Sequence, residues 1–107
     1  MSKIYEELNK NNWCKGSFAA TVNGEWADEN GEKAVKWCAL GWMHKKYLKG
    51  RTTENWQDYF KNYVVKLDAA LDELPKPSPS VMSVTDYNDH PLTTLDMIIE
   101  LFKRADL

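Results

Sequence analysis

The stretch that most constrains this chain is Trp37-Cys38-Ala39-Leu40-Gly41-Trp42-Met43, in the middle of residues 33–50. It carries no charge, and at about 100° per residue its large apolar side chains point in several directions, so as a helix it must be buried rather than laid on a surface. Alanine, leucine and methionine favour helix. His44, Lys45 and Lys46 arrive only after the apolar block, where cations suit the C-terminal half of a helix. Gly50 fits the position just past the end, where a left-handed residue is easiest without a Cβ. The expectation is a buried central helix over 33–48, with Asn30 as its cap. On that helix Ala34, Cys38 and Gly41 fall at i, i+4 and i+7 and make a narrow stripe of small side chains. Such a stripe lets a second backbone or a flat ligand come close, and close packing is the plainer reading.

A chain of 107 residues is one domain by size, able to bury roughly 60–70% of its unfolded surface without staples. Its five tryptophans, five tyrosines and three phenylalanines make the core aromatic. A net charge of −2 and a pI of about 5.6 give no electrostatic case for nucleic acid, which wants a basic patch. No apolar run is long enough to span a membrane, and Met1-Ser2-Lys3-Ile4-Tyr5-Glu6 is not a signal peptide, so the cytosol is expected. Cys14 and Cys38 are then most simply free thiols.

Ser2 is expected to cap a short first helix with Ile4, Tyr5 and Leu8 inward, ending at Asn11-Asn12. Phe18-Ala19-Ala20-Thr21-Val22, Asn23-Gly24 and Glu25-Trp26-Ala27 read as a β-hairpin whose two turn residues both take positive φ. Thr52 or Thr53 caps a helix reaching about Leu74, on which Trp56, Tyr59, Phe60, Tyr63, Val64, Leu67 and Leu71 follow the 3.6-residue period. Three prolines within 75–79 make the next segment an extended connector. Residues 81–87 read as a short strand or an extended segment crossing the core, and Asn88-Asp89-His90-Pro91 as a turn. Thr93 with Asp96 resembles a capping box for a last helix, whose buried face is Leu95, Ile98, Ile99 and Phe102 and whose C-terminal end carries Lys103 and Arg104. The fold class is α+β, mostly helical, with a short β-hairpin packed against about four helices.

Three pieces of the chain carry a resemblance: Trp13-Cys14-x-Gly16, then Trp37-Cys38-Ala39-Leu40-Gly41, then Asp86-Tyr87-Asn88-Asp89 followed by Thr93 and Asp96. In order and spacing they resemble an uncharacterised family of small proteins found in bacteriophages and in some bacteria, over residues 13–105. The resemblance implies a phage-type accessory protein and brings no established activity. Two departures stand out: family members often have tryptophan at the position of Tyr87 and arginine near that of Leu92. If that arginine bound an anion, the contact is lost here.

Several constellations invite chemistry. Cys14, Cys38, His44 and His90 are zinc-ligand types, yet no pair has the short spacing of a structural site, and Cys38 and His44 do not share a helix face. Cys14 or Cys38 with His90 and Asp89 would make a thiol nucleophile, base and orienter, but neither cysteine has the cationic or helix-N-terminal setting that lowers a thiol pKa, beyond Lys15 beside Cys14. Asn88-Asp89 reads structurally as a pair fixing its own turn, and functionally as a polar anchor at the mouth of an aromatic pocket. The remaining tryptophans are core, except that Trp26 in the hairpin is placed to be exposed, as at an interface.

The expected function is binding: a phage-type protein engaging a host protein, with Trp13, Trp37, Trp42, Tyr87, Asn88 and Asp89 as the binding residues. The alternative is sequestration of a nucleotide-like small molecule in an aromatic pocket, where a base stacks on tryptophan. A thiol enzyme comes third. No cofactor, metal or membrane is implied.

Overall fold

The computed structural model describes residues 2–28, 31–48 and 52–107. In chain order it contains α1 (Ile4–Glu7), β1 (Ala19–Ala20), β2 (Lys36–Trp37), α2 (Ala39–Tyr47), α3 (Thr53–Tyr59), a π-helical segment (Phe60–Val64), α4 (Val65–Glu73), α5 (Val84–Asp89) and α6 (Leu95–Ala105). The fold is mostly helical α+β, as the sequence patterns imply. Among the described residues no helix is long and apolar enough to cross a membrane.

The central helix starts at Ala39, six residues later than the sequence suggests. Residues 35–38 are drawn out instead, because other chain segments take their backbone groups. Val35 N–H donates to the Ala20 carbonyl at 3.0 Å, Trp37 N–H to Asn12 at 2.9 Å and Cys38 N–H to Phe18 at 3.2 Å. Hydrogen bonding to neighbouring segments overrides a helical preference that was only local. Ala34, Cys38 and Gly41 therefore share no helix face. Gly41 alone keeps the close approach expected of that stripe: a Cβ built on it would overlap the Phe18 carbonyl oxygen. The expected cap Asn30 and terminator Gly50 lie outside the described residues.

β1 and β2 pair antiparallel, Ala19 opposite Trp37 and Ala20 opposite Lys36. On the outer side of β1, Trp26 bridges Ala20. On the outer side of β2, Trp13 bridges Trp37 in parallel. The hairpin closes through Thr21 N–H to Glu25 at 2.8 Å and Ala27 N–H to Ala19 at 3.1 Å. Its turn differs from the expected two-residue form. Only Gly24 has positive φ, at 84°, and Gly24 N–H returns to the Thr21 carbonyl at 2.9 Å. This is a three-residue loop closed by a left-handed glycine.

Lys3, not Ser2, precedes α1, and its N–H donates to the Glu6 carboxylate at 2.9 Å. α1 stops at Glu7, short of Asn11-Asn12, while Asn12 Nδ2 reaches back to the Glu7 carbonyl at 2.9 Å. Thr52 caps α3 as expected, accepting from Asn55 N–H at 3.2 Å. From Thr53 to Glu73 the rod is continuous, but the π segment inserts the equivalent of one residue. The period on its two sides is thereby shifted by about 100°. Tyr59, Leu67 and Leu71 stay buried while Phe60, central to the predicted stripe, is left exposed.

Residues 84–89 are helical rather than strand or turn. Ser83 caps them by accepting from Asp86 N–H at 3.1 Å, and Asp86 accepts from Met82 N–H at 3.1 Å. The cap of α6 is Thr94, one residue beyond Thr93. Thr94 Oγ1 accepts from Met97 N–H at 3.3 Å, so Asp96 takes no part in the cap. The inward face of α6 is Ile98, Leu101, Phe102 and Ala105, with Leu95 and Ile99 only half-buried at its margins. α6 packs against α4 and α1, and α2 against α5, around a core that includes Ile4, Met43, Leu67, Tyr87 and Phe102.

Candidate functional site

The loop after α1 runs beside β2, with Cys14 N–H donating to the Trp37 carbonyl at 3.3 Å. The last turn of α5 closes on that loop from the other side. Asn88, 1% exposed, lies at the junction. Its Oδ1 accepts from Trp13 Nε1 at 2.7 Å and from the Ala39 N–H at 3.0 Å. Its Nδ2 donates to the Cys14 carbonyl at 3.1 Å and to Asp89 Oδ1 at 2.9 Å. An asparagine amide has two acceptor and two donor positions, so this one is full. Asp89 Oδ1 also accepts from Gly16 N–H at 2.9 Å, and Lys15 Nζ donates to the His90 and Thr93 carbonyls at 2.7 and 2.8 Å. One hub thus ties the Trp13–Gly16 loop, the end of α5 and the start of α2.

The start of α2 has a second cap. Cys38 Sγ accepts from Gly41 N–H at 3.3 Å, satisfying one of the N–H groups that a helix leaves unpaired at its start. Burial pushes the Cys38 thiol up to about 11. Burial likewise raises the Cys14 thiol, with the nearby Asp89 charge adding to it, and Cys14 Sγ donates to the Ser17 carbonyl at 3.6 Å. His90 Nδ1 accepts from Leu92 N–H at 3.1 Å within its own turn. No group of three His, Cys, Asp or Glu side chains converges to hold a metal among the described residues.

Of the residues predicted to bind, Trp13, Asn88 and Asp89 are joined directly in the hub, and Trp37 borders it through its backbone. Trp37 and Trp42 meet edge to face, their rings 5.3 Å apart. The Lys45 ammonium stands 4.1 Å from the Trp37 ring and 4.6 Å from that of Trp42. Trp42 Nε1 donates to the Asn12 carbonyl at 3.1 Å. Tyr87, on the same short helix as Asn88, lines a different cavity, with Leu74 and Met97.

A second set of aromatic groups was not singled out from the sequence. Phe18 stacks on His44 with ring centres 5.2 Å apart, and Trp56 and Tyr59 meet the same imidazole edge-on at 5.5 and 5.6 Å. Phe18 is 45% exposed and Trp56 37%, and Phe60, four residues beyond Trp56, is 54% exposed. The π segment that releases Phe60 from the core has no signature in the sequence, and Phe18 reads there only as a strand residue.

The family model described as "Family of unknown function (DUF6197)" matches residues 2–106. The chain belongs to this family. The match spans the hub and the aromatic set alike, so both are parts of one DUF6197 unit. Among the curated proteins and among the solved structures, nothing matches this chain.

Proposed function

We propose that this DUF6197 chain is a phage-type accessory protein that acts by binding a host protein, and that it does so through the aromatic surface of Phe18, His44, Trp56 and Phe60. The observation that carries this reading is the partial exposure of Phe18 and Trp56 around an imidazole that packs against Phe18, Trp56 and Tyr59, with Phe60, four residues beyond Trp56, exposed as well. Rings already held by one another lose little rotamer freedom on binding, and Trp and Phe supply large apolar contact area. The Asn88 hub supports the reading from the other side, because its amide has no bonding position left for a ligand. The phage-type origin rests on the sequence resemblance.

Photo-crosslinking inside a bacterial host tests the proposal. p-Benzoylphenylalanine at position 60 should give an adduct of one discrete mass, suppressed by Trp56→Ser, while the same probe at exposed Met82 gives none. Absence of an adduct at 60, or an equal one at 82, would retire it. The nucleotide-like ligand remains the competing reading. It requires Lys45 to leave the rings of Trp37 and Trp42, since its ammonium lies within 5 Å of both. Saturable binding of ATP or GMP by calorimetry, abolished in Trp37→Ala, would favour that alternative.

A further inference from the structure

A cavity of about 570 Å³ lies between the connector after α4, α5 and one side of α6. Leu74, Pro75, Pro77 and Met97 supply apolar walls, and the volume falls in the range of small-molecule pockets. Two polar groups in its lining make no hydrogen bond or ion pair within the described residues. Tyr87 is 2% exposed; its hydroxyl bonds no group among the described residues, keeps some solvent-accessible area, and has its pKa raised by burial.

Asp96 is the other. Arg104, also in the lining, stands 3.4 Å from Glu100 and 3.7 Å from Glu73. Lys76 Nζ donates to the Leu71 and Leu74 carbonyls at 3.0 and 3.4 Å, at the C-terminal end of α4. Among the described residues Asp96 has neither an ion pair nor a hydrogen bond. The rim's cations are therefore engaged, and one carboxylate is not.

We infer that this cavity is a binding site for a small amine with an apolar body, its ammonium paired with Asp96 and a polar atom meeting the Tyr87 hydroxyl. The site is separate from the aromatic surface, and its test does not depend on that reading. Tryptamine serves as the probe and 3-ethylindole, which lacks the amine, as its control, in an NMR titration of backbone amides of the full chain. Tryptamine should produce saturable shifts at Leu74, Tyr87 and Met97. Losing a charge-assisted hydrogen bond should weaken binding roughly tenfold in Asp96→Asn, and 3-ethylindole should bind as weakly as tryptamine does to that variant. Tyr87→Phe should weaken tryptamine by roughly three- to tenfold without lowering the melting temperature, because no protein hydrogen bond is removed. Asp96 is exposed, so its variant folds and keeps the test valid should Tyr87→Phe not fold. Shifts that do not saturate or that map elsewhere, or 3-ethylindole on the wild type and tryptamine on Asp96→Asn binding as tightly as tryptamine does on the wild type, would overturn the assignment.

Discussion

The Asn88 hub and the Phe18–Trp56 surface hold side chains of similar apparent interest and use them in opposite ways. At the hub the Asn88 amide has every partner inside the chain: Trp13 Nε1, Ala39 N–H, the Cys14 carbonyl and Asp89 fill it. At the surface the contacts between rings are made, but the outer parts of Phe18, Trp56 and Phe60 still face solvent. A buried polar group with every bond made rigidifies a fold. Exposed rings on a fixed support have area still to bury. The difference teaches that the residues most eye-catching in sequence hold the molecule together here, while the surface with free area was hidden among residues that read as core.

The comparison breaks most sharply at Asn88. Asn88→Ala orphans a buried indole N–H, a helix N–H and a carbonyl at once, so about 3–5 kcal/mol of stability should go, as several unsatisfied groups each cost their desolvation. A denaturant melt checks this, and a loss below about 1 kcal/mol would remove the hub from its structural role. Gly41→Ala comes next. The added Cβ collides with the backbone oxygen of Phe18, which cannot swing away as a side chain would. The expected cost is about 3 kcal/mol, read by the same melt, and it should also displace Phe18 from the aromatic surface.

Cys38 sharpens the comparison through pH. Its folded pKa of about 11 lies above the ordinary thiol value of 9.0, so between the two the folded state holds a proton that the unfolded state has released. Stability from this group is present in full below about pH 9 and is lost as pH rises toward 11, by at most ~2–3 kcal/mol. Melts of wild type and Cys38→Ser between pH 8 and 11 should converge as pH rises. Parallel curves would mean the thiol is not held protonated.

Asp89→Ala removes the acceptor of the Gly16 N–H and should cost roughly 0.5–2 kcal/mol, the range for a lost capping-type bond. Host-protein affinity should fall only as far as folding does. The smallest stability effect belongs to Phe60→Ser, within about 0.5 kcal/mol because the ring is largely exposed. Binding, by contrast, should drop at least tenfold if the ring anchors the interface. A Phe60→Ser variant that binds as wild type does would leave the two regions functionally alike.

Features fixed within a few residues of each other were legible in the sequence. Thr52 capping its helix, the apolar face of α6 and the Asn23-Gly24 reversal all depend on local hydrogen bonds and on one periodicity. Even α5 had its local mark, since Ser83 and Asp86 form a cap that the β-branched residues around them obscured. What tertiary structure decided is what one segment does to another. Residues 35–38 are extended because Asn12, Phe18 and Ala20 accept their N–H groups. Asn88 is a hub because Trp13 and Ala39, 75 and 49 positions away, bring their donors to it. Phe60 is exposed because a π turn shifts the helix against the core, at a position where side-chain periodicity alone predicts burial. Local propensity is worth at most about 1 kcal/mol per residue, and a handful of long-range hydrogen bonds and packed rings is enough to outweigh it.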